Sequence, residues 1–107
     1  MSTVPRSEIM RLASMVEYNM GAIVSRQVTK AEGGNVTLFA FDKDQELSEH
    51  TTPFDALVQI LDGEAEIRIS GRPNLLNAGD SILMPANEPH ALRAVKAFKM
   101  LLTMIKV

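Results

Sequence analysis

The sequence predicts an all-β domain, a sandwich or a barrel, and three observations support this fold class. Short apolar stretches with the two-residue alternation of β-strands recur from residue 23 to the end of the chain. Glycine, proline, aspartate and asparagine separate them about every 8–12 residues, which is typical of all-β folds. The 107 residues suffice for one hydrophobic core but not for two, and no internal repeat or linker interrupts them. We therefore expect about eight or nine strands in one domain.

The strands are preceded by a stretch with a different period. In residues 7–20, apolar side chains from Ile9 to Met20 recur at helical spacing, with polar residues between them. Ser7 can serve as the N-cap and Gly21 can end the element. The pattern predicts one short amphipathic helix whose apolar, methionine-rich face packs against the domain or a second subunit.

The strands then follow one another to the end of the chain. The Asp62-Gly63 pair favours a tight hairpin between two of them. The last strand is apolar on both faces, which indicates cover on both sides by the helix or by another subunit. We assign residues 1–22 to a helical segment and residues 23–107 to a single barrel domain. The predicted strands lie in residues 23–28, 36–41, 54–61, 65–70, 75–76, 82–84, 91–95 and 98–107.

Composition excludes several classes of function. The net charge of −2 gives no general attraction to nucleic acid or to an anionic membrane. One tyrosine, four phenylalanines and no tryptophan argue against an aromatic platform for single-stranded nucleic acid. The absence of cysteine excludes disulfides and thiolate metal sites. No apolar run approaches the roughly 20 residues of a membrane span, and no secretory signal is visible, so we expect a cytoplasmic protein.

The most informative stretch is residues 79–90, which reads Gly-Asp-Ser-Ile-Leu-Met-Pro-Ala-Asn-Glu-Pro-His. A turn leads into a short apolar strand that Pro85 ends, and a second turn presents His90 at the start of the next strand. The only other histidine is His50. Imidazole is a general base and the commonest metal ligand, so two histidines in one barrel mouth could hold a divalent metal. A stable metal site normally takes three or four protein ligands.

This stretch resembles the second motif of the cupin superfamily. That motif reads Gly, five residues, Pro, one residue, Gly, two residues, His, three residues, Asn. Gly79, Pro85 and His90 fall at the matching positions. Asn87 stands in the second Gly position, where its tolerance of left-handed backbone geometry makes it a sensible replacement, and Ala94 stands in the Asn position.

An earlier stretch resembles the first cupin motif, which reads Gly, five residues, His, one residue, His, three or four residues, Glu, six residues, Gly. Counting back from Gly63 places Ala56 in the Glu position and Thr52 in the second His position. His50 then occupies the first His position, and Asp44 replaces the leading Gly.

The resemblance, which covers residues 44–94, implies a cupin-like double-stranded β-helix, that is, a jelly-roll barrel, here with a short N-terminal helix. It implies that the mouth of the barrel holds a ligand pocket in which a few polar groups orient the ligand against apolar walls. Cupins commonly dimerise, and the doubly apolar last strand needs cover, so we expect a homodimer. The expected pocket residues are His50, Thr52, Phe54, Ala56, Val58, Met84 and His90.

The departures from the family pattern bear on metal binding. Metal-binding cupins use both histidines and the glutamate of the first motif together with the histidine of the second. Of these four, this chain retains His50 and His90, whereas Thr52 is a poor ligand and Ala56 cannot be one. We therefore expect lowered metal affinity. Zn²⁺, Fe²⁺, Mn²⁺ and Ni²⁺ are all compatible with two imidazoles.

Three functions remain open. The first is a small-molecule-binding cupin without strong metal affinity. The second is a metal-dependent enzyme, by resemblance a dioxygenase, decarboxylase or isomerase, whose two-histidine site is completed by water or substrate. The third is an interaction role with a vestigial pocket. No Ser-His-Asp arrangement and no glycine-rich phosphate loop is visible, so no catalytic residue is assigned.

Overall fold

The protein is described by a computed structural model over residues 4–107. The chain in this range forms one 3-10 helix, Leu12–Ser14, and nine strands. The helix is too short to cross a membrane. The strands are β1 (Ile23–Ala31), β2 (Gly34–Phe41), β3 (Glu46–His50), β4 (Phe54–Asp62), β5 (Glu64–Ile69), β6 (Arg72–Asn77), β7 (Ser81–Met84), β8 (His90–Ala94) and β9 (Phe98–Lys106).

Two antiparallel sheets face each other and enclose the core. The five-stranded sheet has the order β1-β2-β9-β4-β7, and the four-stranded sheet has the order β3-β8-β5-β6. Alternate residues of both sheets point inward, as the pleat requires. Phe41 and Phe98 stack there with ring centroids 4.5 Å apart, and Val58, Ile60 and Ile67 are fully or almost fully buried around them. This confirms the predicted all-β jelly-roll barrel.

A second apolar cluster lies on the outer face of the five-stranded sheet. Leu38, Ala40 and Leu101 face outward from β2 and β9, and Val16 of the N-terminal segment packs onto them. The inner face of β9 contributes Phe98 and Met100 to the core between the sheets. The last strand is therefore apolar on both faces because both faces pack, one of them against the N-terminal segment.

The predicted N-terminal helix over residues 7–20 is wrong in its extent, since only Leu12–Ser14 is helical. Ser7 has a φ of 63° and does not cap that helix. The side chains of Lys99 and Arg26 instead bind main-chain carbonyls of the segment, at 2.5 and 3.3 Å. A helix of this length is marginal in isolation, so contacts with the sheet decide its conformation. The first three residues of the assigned segment 1–22 lie outside the described residues.

Strand β3 was not predicted, although it positions one of the two histidines. Its sequence, Glu-Leu-Ser-Glu-His, has one apolar residue, Leu47, which packs against the core. The strand lies at the edge of the four-stranded sheet and, among residues 4–107, pairs only with β8. Short, polar edge strands are common because they discourage pairing with other chains, and they lack the alternation that identifies inner strands.

Candidate functional site

The two histidines lie side by side at one end of the barrel. His50 is the last residue of β3 and His90 the first of β8, and their Cα atoms are partners across the two strands. The ring centroids are 4.4 Å apart and the rings meet edge to face. His90 is only 4% exposed and is the one buried polar side chain among residues 4–107, whereas His50 is exposed.

The turn before β8 sets the direction of His90. Asn87 adopts a φ of 67°, so the chain reverses between Pro85 and His90. The Asn87 N–H donates to the Thr52 carbonyl at 2.7 Å, which ties this turn to the segment that follows β3. The Nδ1 atom of His90 lies 3.2 Å from the carbonyl of Glu88 within the same turn. The position of His90 is therefore fixed by hydrogen bonds of both the turn backbone and the imidazole ring.

A bulge sets the direction of His50. The pairing of β3 with β8 shifts between Leu47 and His50, which re-aims the end of the strand. His50 Nδ1 lies 2.8 Å from the carbonyl of Ser48. A carbonyl can only accept, so in each neutral ring the proton sits on Nδ1 and the lone pair on Nε2. Both histidines are thus oriented to offer Nε2 as an acceptor or as a metal ligand.

The protonation of His90 follows from its surroundings. Burial lowers the pKa of His90 below its usual value because the charged imidazolium is poorly solvated there. The neighbouring His50 lowers it further, and the hydrogen bond to the Glu88 carbonyl opposes both effects. His90 is therefore neutral at neutral pH, and its Nε2 is an acceptor.

The other expected pocket residues lie at different depths. Ala56 and Met84 are Cα partners on β4 and β7, and both are buried. Phe54 is half-buried at the start of β4, and Val58 has no exposed surface because it lies within the core. The Thr52 hydroxyl donates to the Phe54 carbonyl at 3.2 Å and lies 3.4 Å from the Phe54 N–H. The Thr52 hydroxyl therefore hydrogen-bonds to the main chain at the start of β4.

The donor atoms near the two histidines are few. Within residues 4–107, no group of three or more His, Cys, Asp or Glu side chains is placed to hold a metal ion. Asp55 accepts a hydrogen bond from the Ala86 N–H at 2.9 Å, and Gln59 is exposed. The donor set therefore does not fit the four-ligand centre of metal-binding cupins: two imidazoles are present, and the positions of Thr52 and Ala56 supply nothing comparable.

Sequence reasoning missed two residues that share the face of the histidines. The four-stranded sheet aligns His50, His90, Ile69 and Arg72 as successive Cα partners on β3, β8, β5 and β6. Ile69 packs against the inner core, so this row lies on the inner face. Counting back from the Gly71 turn could have paired Ile69 with Arg72, but the alignment of β5 with β8 had no sequence signal.

The turn positions of both motifs share one backbone conformation. Asp44, Gly63, Gly79 and Asn87 have φ values of 70°, 83°, 96° and 67°, all in the left-handed region. The prediction that Asn87 replaces a glycine through its backbone geometry is confirmed, and Asp44 does the same in the first motif. Asn and Asp tolerate this region better than most residues with a Cβ.

Known proteins share both the sequence pattern and the fold. The family model described as "Cupin domain" matches residues 37–106. A conserved Streptococcus pyogenes protein of unknown function is 38% identical with a TM-score of 0.92, covering 97% of this chain and 91% of its own. A cupin 2 conserved barrel domain protein from Leptotrichia buccalis is 40% identical with a TM-score of 0.88. That match covers 91% of this chain and 47% of the Leptotrichia protein.

A further solved structure extends the likeness. A cupin superfamily protein from Desulfitobacterium hafniense is 28% identical with a TM-score of 0.91, covering 97% of this chain and 95% of its own. No curated protein matches the sequence. The family match spans most of the strands, and the three solved structures each cover at least 91% of this chain. The chain therefore belongs to the cupin family.

Proposed function

We propose that this protein binds a small organic molecule at the barrel mouth beside His50 and His90. The observation that carries the proposal is the buried, neutral His90, whose Nδ1 is held by a carbonyl and whose Nε2 remains an acceptor. No buried side-chain nitrogen or oxygen atom in the described residues lacks a hydrogen-bond partner, so the Nε2 edge of His90 reaches solvent at the barrel mouth. A ligand that donates a hydrogen bond can replace water at that acceptor.

The surroundings of His90 suit such a ligand. Small-molecule sites are mostly apolar with a few polar groups that fix orientation. Here the apolar groups are Phe54, Ala56 and Met84, joined by Met104, the Cα partner of Ala56 on β9. Thr52 is set at the rim by its bonds to Phe54. We assign Val58 to the packing beneath this pocket.

Binding is tested by thermal unfolding in the presence of a library of small acids, sugars and nucleosides. A ligand at 100 times its Kd stabilises the native state by about 2.7 kcal/mol, because it binds only the folded chain. We expect such a ligand to raise the Tm of the wild type but not of His90→Ala. Gln59→Ala is the control, because Gln59 is exposed on the outer face of β4. A ligand effect that survives in His90→Ala would place binding elsewhere.

A second candidate is a metal-dependent enzyme, and the adjacency of the two imidazoles favours it. His50 and His90 would supply two ligands, with water or substrate at the other positions. A bound Zn²⁺, Fe²⁺, Mn²⁺ or Ni²⁺ would act as a Lewis acid or activate oxygen. The shortage of further donors among the described residues ranks this candidate below ligand binding alone.

Elemental analysis of untagged protein separates the two candidates. The enzyme candidate predicts near-stoichiometric metal that is lost in both His50→Ala and His90→Ala. It also predicts that added divalent ions raise the Tm of the stripped protein. Metal-free protein with an unchanged Tm would eliminate it. If no metal and no library ligand binds, the interaction role remains.

We also propose that the protein is a homodimer. The N-terminal segment covers only part of the outer sheet face, and Leu83 and Ile105 there remain 53% and 57% exposed. A two-fold axis lets a second copy present the same exposed apolar side chains to this face, so a second copy of this chain is the partner we propose. Light scattering should give twice the chain mass, and Leu83→Lys with Ile105→Lys should give the monomer. Leu75→Lys, on the other sheet, is the control. A monomeric wild type at micromolar concentration would contradict the proposal.

A further inference from the structure

We propose that the ligand of the barrel mouth is a small organic anion that also carries a hydroxyl group, and that Arg72 binds its anionic group. This inference rests on the proposed function and names the ligand class. It comes from the register of the four-stranded sheet and from the distribution of charge around the mouth, neither of which the family motifs include.

The register places Arg72 in the row of the two histidines. His50 is the Cα partner of His90, His90 of Ile69, and Ile69 of Arg72. Residues paired in this way project from the same face of a sheet. Since His90 is buried and Ile69 packs against the core, that face is the inner one. Arg72 therefore stands at the far end of the row that His50 begins.

The hairpin that carries Arg72 is fixed to the turn that carries His90. Ser70 and Gly71 form a two-residue connection with φ values of 52° and 79°. The Ser70 N–H donates to the Pro89 carbonyl at 2.8 Å, and its hydroxyl donates to Glu88 Oε1 at 2.5 Å. These bonds join the tip of the β5–β6 hairpin to the residues immediately before His90. Arg72 and His90 thus belong to one rigid frame, as a binding site needs.

The arginines of the four-stranded sheet differ in whether they form ion pairs. On the outer face, Arg93 and Arg68 share the carboxylate of Glu66, with N–O distances of 3.2 and 3.8 Å. On the inner face, Arg72 forms no ion pair within residues 4–107. Glu88, an acid in the turn before His90, accepts the hydrogen bond of the Ser70 hydroxyl. A guanidinium at a pocket rim without a carboxylate partner matches the planar, two-oxygen geometry of a carboxylate or phosphate group.

Two lysines give the opposite side of the mouth the same sign of charge. Lys30 is the Cα partner of Asn35, which pairs in turn with Met104, and Lys106 is the partner of Phe54. These partners place both lysines on inner-face register positions. Neither forms an ion pair within the described part of the chain. Basic residues thus occupy inner-face register positions on both sheets at this end of the barrel, where they would attract an anionic ligand although the protein carries a net charge of −2.

The histidines specify the second feature of the ligand. Their Nδ1 atoms are occupied by the carbonyls of Ser48 and Glu88, which leaves Nε2 as an acceptor in each neutral ring. An acceptor is satisfied by a hydroxyl or N–H of the ligand and not by a second carboxylate. An anionic group toward Arg72 and a hydroxyl toward the imidazoles describe a hydroxycarboxylate or a phosphorylated alcohol.

The experiment measures binding of tartrate, succinate, inorganic phosphate, glycerol 3-phosphate and neutral erythritol by calorimetry at low ionic strength. We expect tartrate or glycerol 3-phosphate to bind more tightly than succinate or phosphate, which lack the hydroxyl donor or the carbon chain. Arg72→Ala should weaken that binding about ten-fold or more, since it removes a charge-assisted pair. Arg72→Lys should retain part of it. Arg68→Ala, which changes an arginine on the outer face, should leave the Kd unchanged.

The possible outcomes separate this inference from the proposed function. If a neutral ligand binds the wild type but not His90→Ala, and no anion binds, the pocket stands and the anionic class is wrong. If anions bind equally to wild type, Arg72→Ala and Arg68→Ala, the attraction is non-specific and the role of Arg72 is wrong. If neither anions nor neutral ligands bind, both proposals fail. If anions bind and Arg72→Ala weakens that binding, the tighter of tartrate and glycerol 3-phosphate shows whether the anionic group is a carboxylate or a phosphate.

Discussion

The first motif segment, residues 44–63, and the second, residues 79–94, share left-handed turns but differ in how many ligand positions of the cupin motifs they match. Both keep the left-handed turns: Asp44 and Gly63 frame the first, and Gly79 and Asn87 lie in the second. The second also keeps its ligand residue, His90. The first has lost two of its three ligand residues. The turns are therefore required by the fold, independently of any metal, because they set where strands begin and end.

The two histidines also differ between the segments, in burial and in the strand that carries them. His90 is buried, with a lowered pKa, at the start of a central strand. His50 is exposed, at the end of a bulged edge strand. A polar group that stays buried must be held by specific bonds, as His90 is by the Glu88 carbonyl. In the proposed binding site, His90 of the second segment would therefore be the more firmly held contact and His50 of the first the more exposed one.

The largest expected effect comes from the turn that closes the first segment. At Gly63, a Cβ would lie 1.9 Å from the backbone oxygen of Ala97, and φ is 83°. Gly63→Ala should therefore destabilise the fold by about 2–5 kcal/mol, through both backbone strain and a clash with main chain. Urea unfolding measures the change.

Gly71→Ala is the matched control for that change. Gly71 has a similar φ of 79°, but a Cβ there would meet nothing within 4 Å. Only the strain remains, and it should cost about 1–2 kcal/mol. Equal losses in the two variants would show that the contact with Ala97 is relieved by movement of the chain.

The next effect tests whether the lost ligands can be restored to the first segment. Thr52→His with Ala56→Glu recreates the family's ligand set around His50 and His90. Ala56 is buried, so the new carboxylate should destabilise the protein by about 3 kcal/mol or more when a chelator keeps it free of metal. Added Mn²⁺, Ni²⁺ or Zn²⁺ should then raise the Tm of the double variant far more than that of the wild type.

A neutral variant separates the charge from the volume of the new side chain. Thr52→His with Ala56→Gln has nearly the same shape and should respond more weakly to metal, since an amide is a poorer ligand than a carboxylate. A wild-type response as large as that of the glutamate variant would mean that His50 and His90 already suffice, which would favour the enzyme candidate.

The contrast between the histidines predicts a pH dependence of stability. The native pKa of His90 is lowered, whereas the unfolded chain has the usual value of 6.5. As the pH is lowered below about 6.5, His90 takes up a proton in the unfolded state before it does so in the native state. The free energy of unfolding should therefore decrease as the pH decreases, until native His90 is protonated too. Chelated protein melted between pH 8 and pH 5 should show this decline, and His90→Gln should show a shallower slope. An identical slope would assign the decline to other groups.

The sequence was sufficient for the fold class and most strands because their signals are local. The hairpin predicted at Asp62-Gly63 is wrong, since this turn connects β4 of one sheet to β5 of the other. Turn residues and two-residue alternation identified eight of the nine strands, and motif spacing brought His50 and His90 into one pocket hypothesis. Strand β3 lacked the alternation because it is a polar edge strand, and the N-terminal helix was predicted from a pattern that the structure uses differently. Leu12 and Val16 contact the sheet, whereas Ile9 and Met20 are 99% and 94% exposed.

The site was less accessible because it depends on register. Nothing in the sequence aligns β5 with β8, yet that alignment puts Ile69 and Arg72 in the row of the histidines. The hydrogen bonds that orient each Nδ1 depend on a bulge at His50 and a turn at Glu88, which are tertiary features. Motif spacing predicts which residues meet, but not what each ring nitrogen is free to do.

The smallest expected effects come from the two positions where Asp44 and Asn87 replace glycine. Asp44→Gly and Asn87→Gly should each change stability by less than about 1 kcal/mol, because glycine relieves the left-handed strain but adds freedom to the unfolded chain. Asp44→Ala and Asn87→Ala should each cost about 1–2 kcal/mol, since alanine has a Cβ and no polar group to favour that region. Urea midpoints at one pH measure all four. A loss in Asn87→Gly that matched Asn87→Ala would mean that the asparagine side chain itself matters at the mouth. If the glycine variants of both segments change the free energy of unfolding little, each position requires only the left-handed backbone conformation. A motif could then keep its turns without its metal ligands.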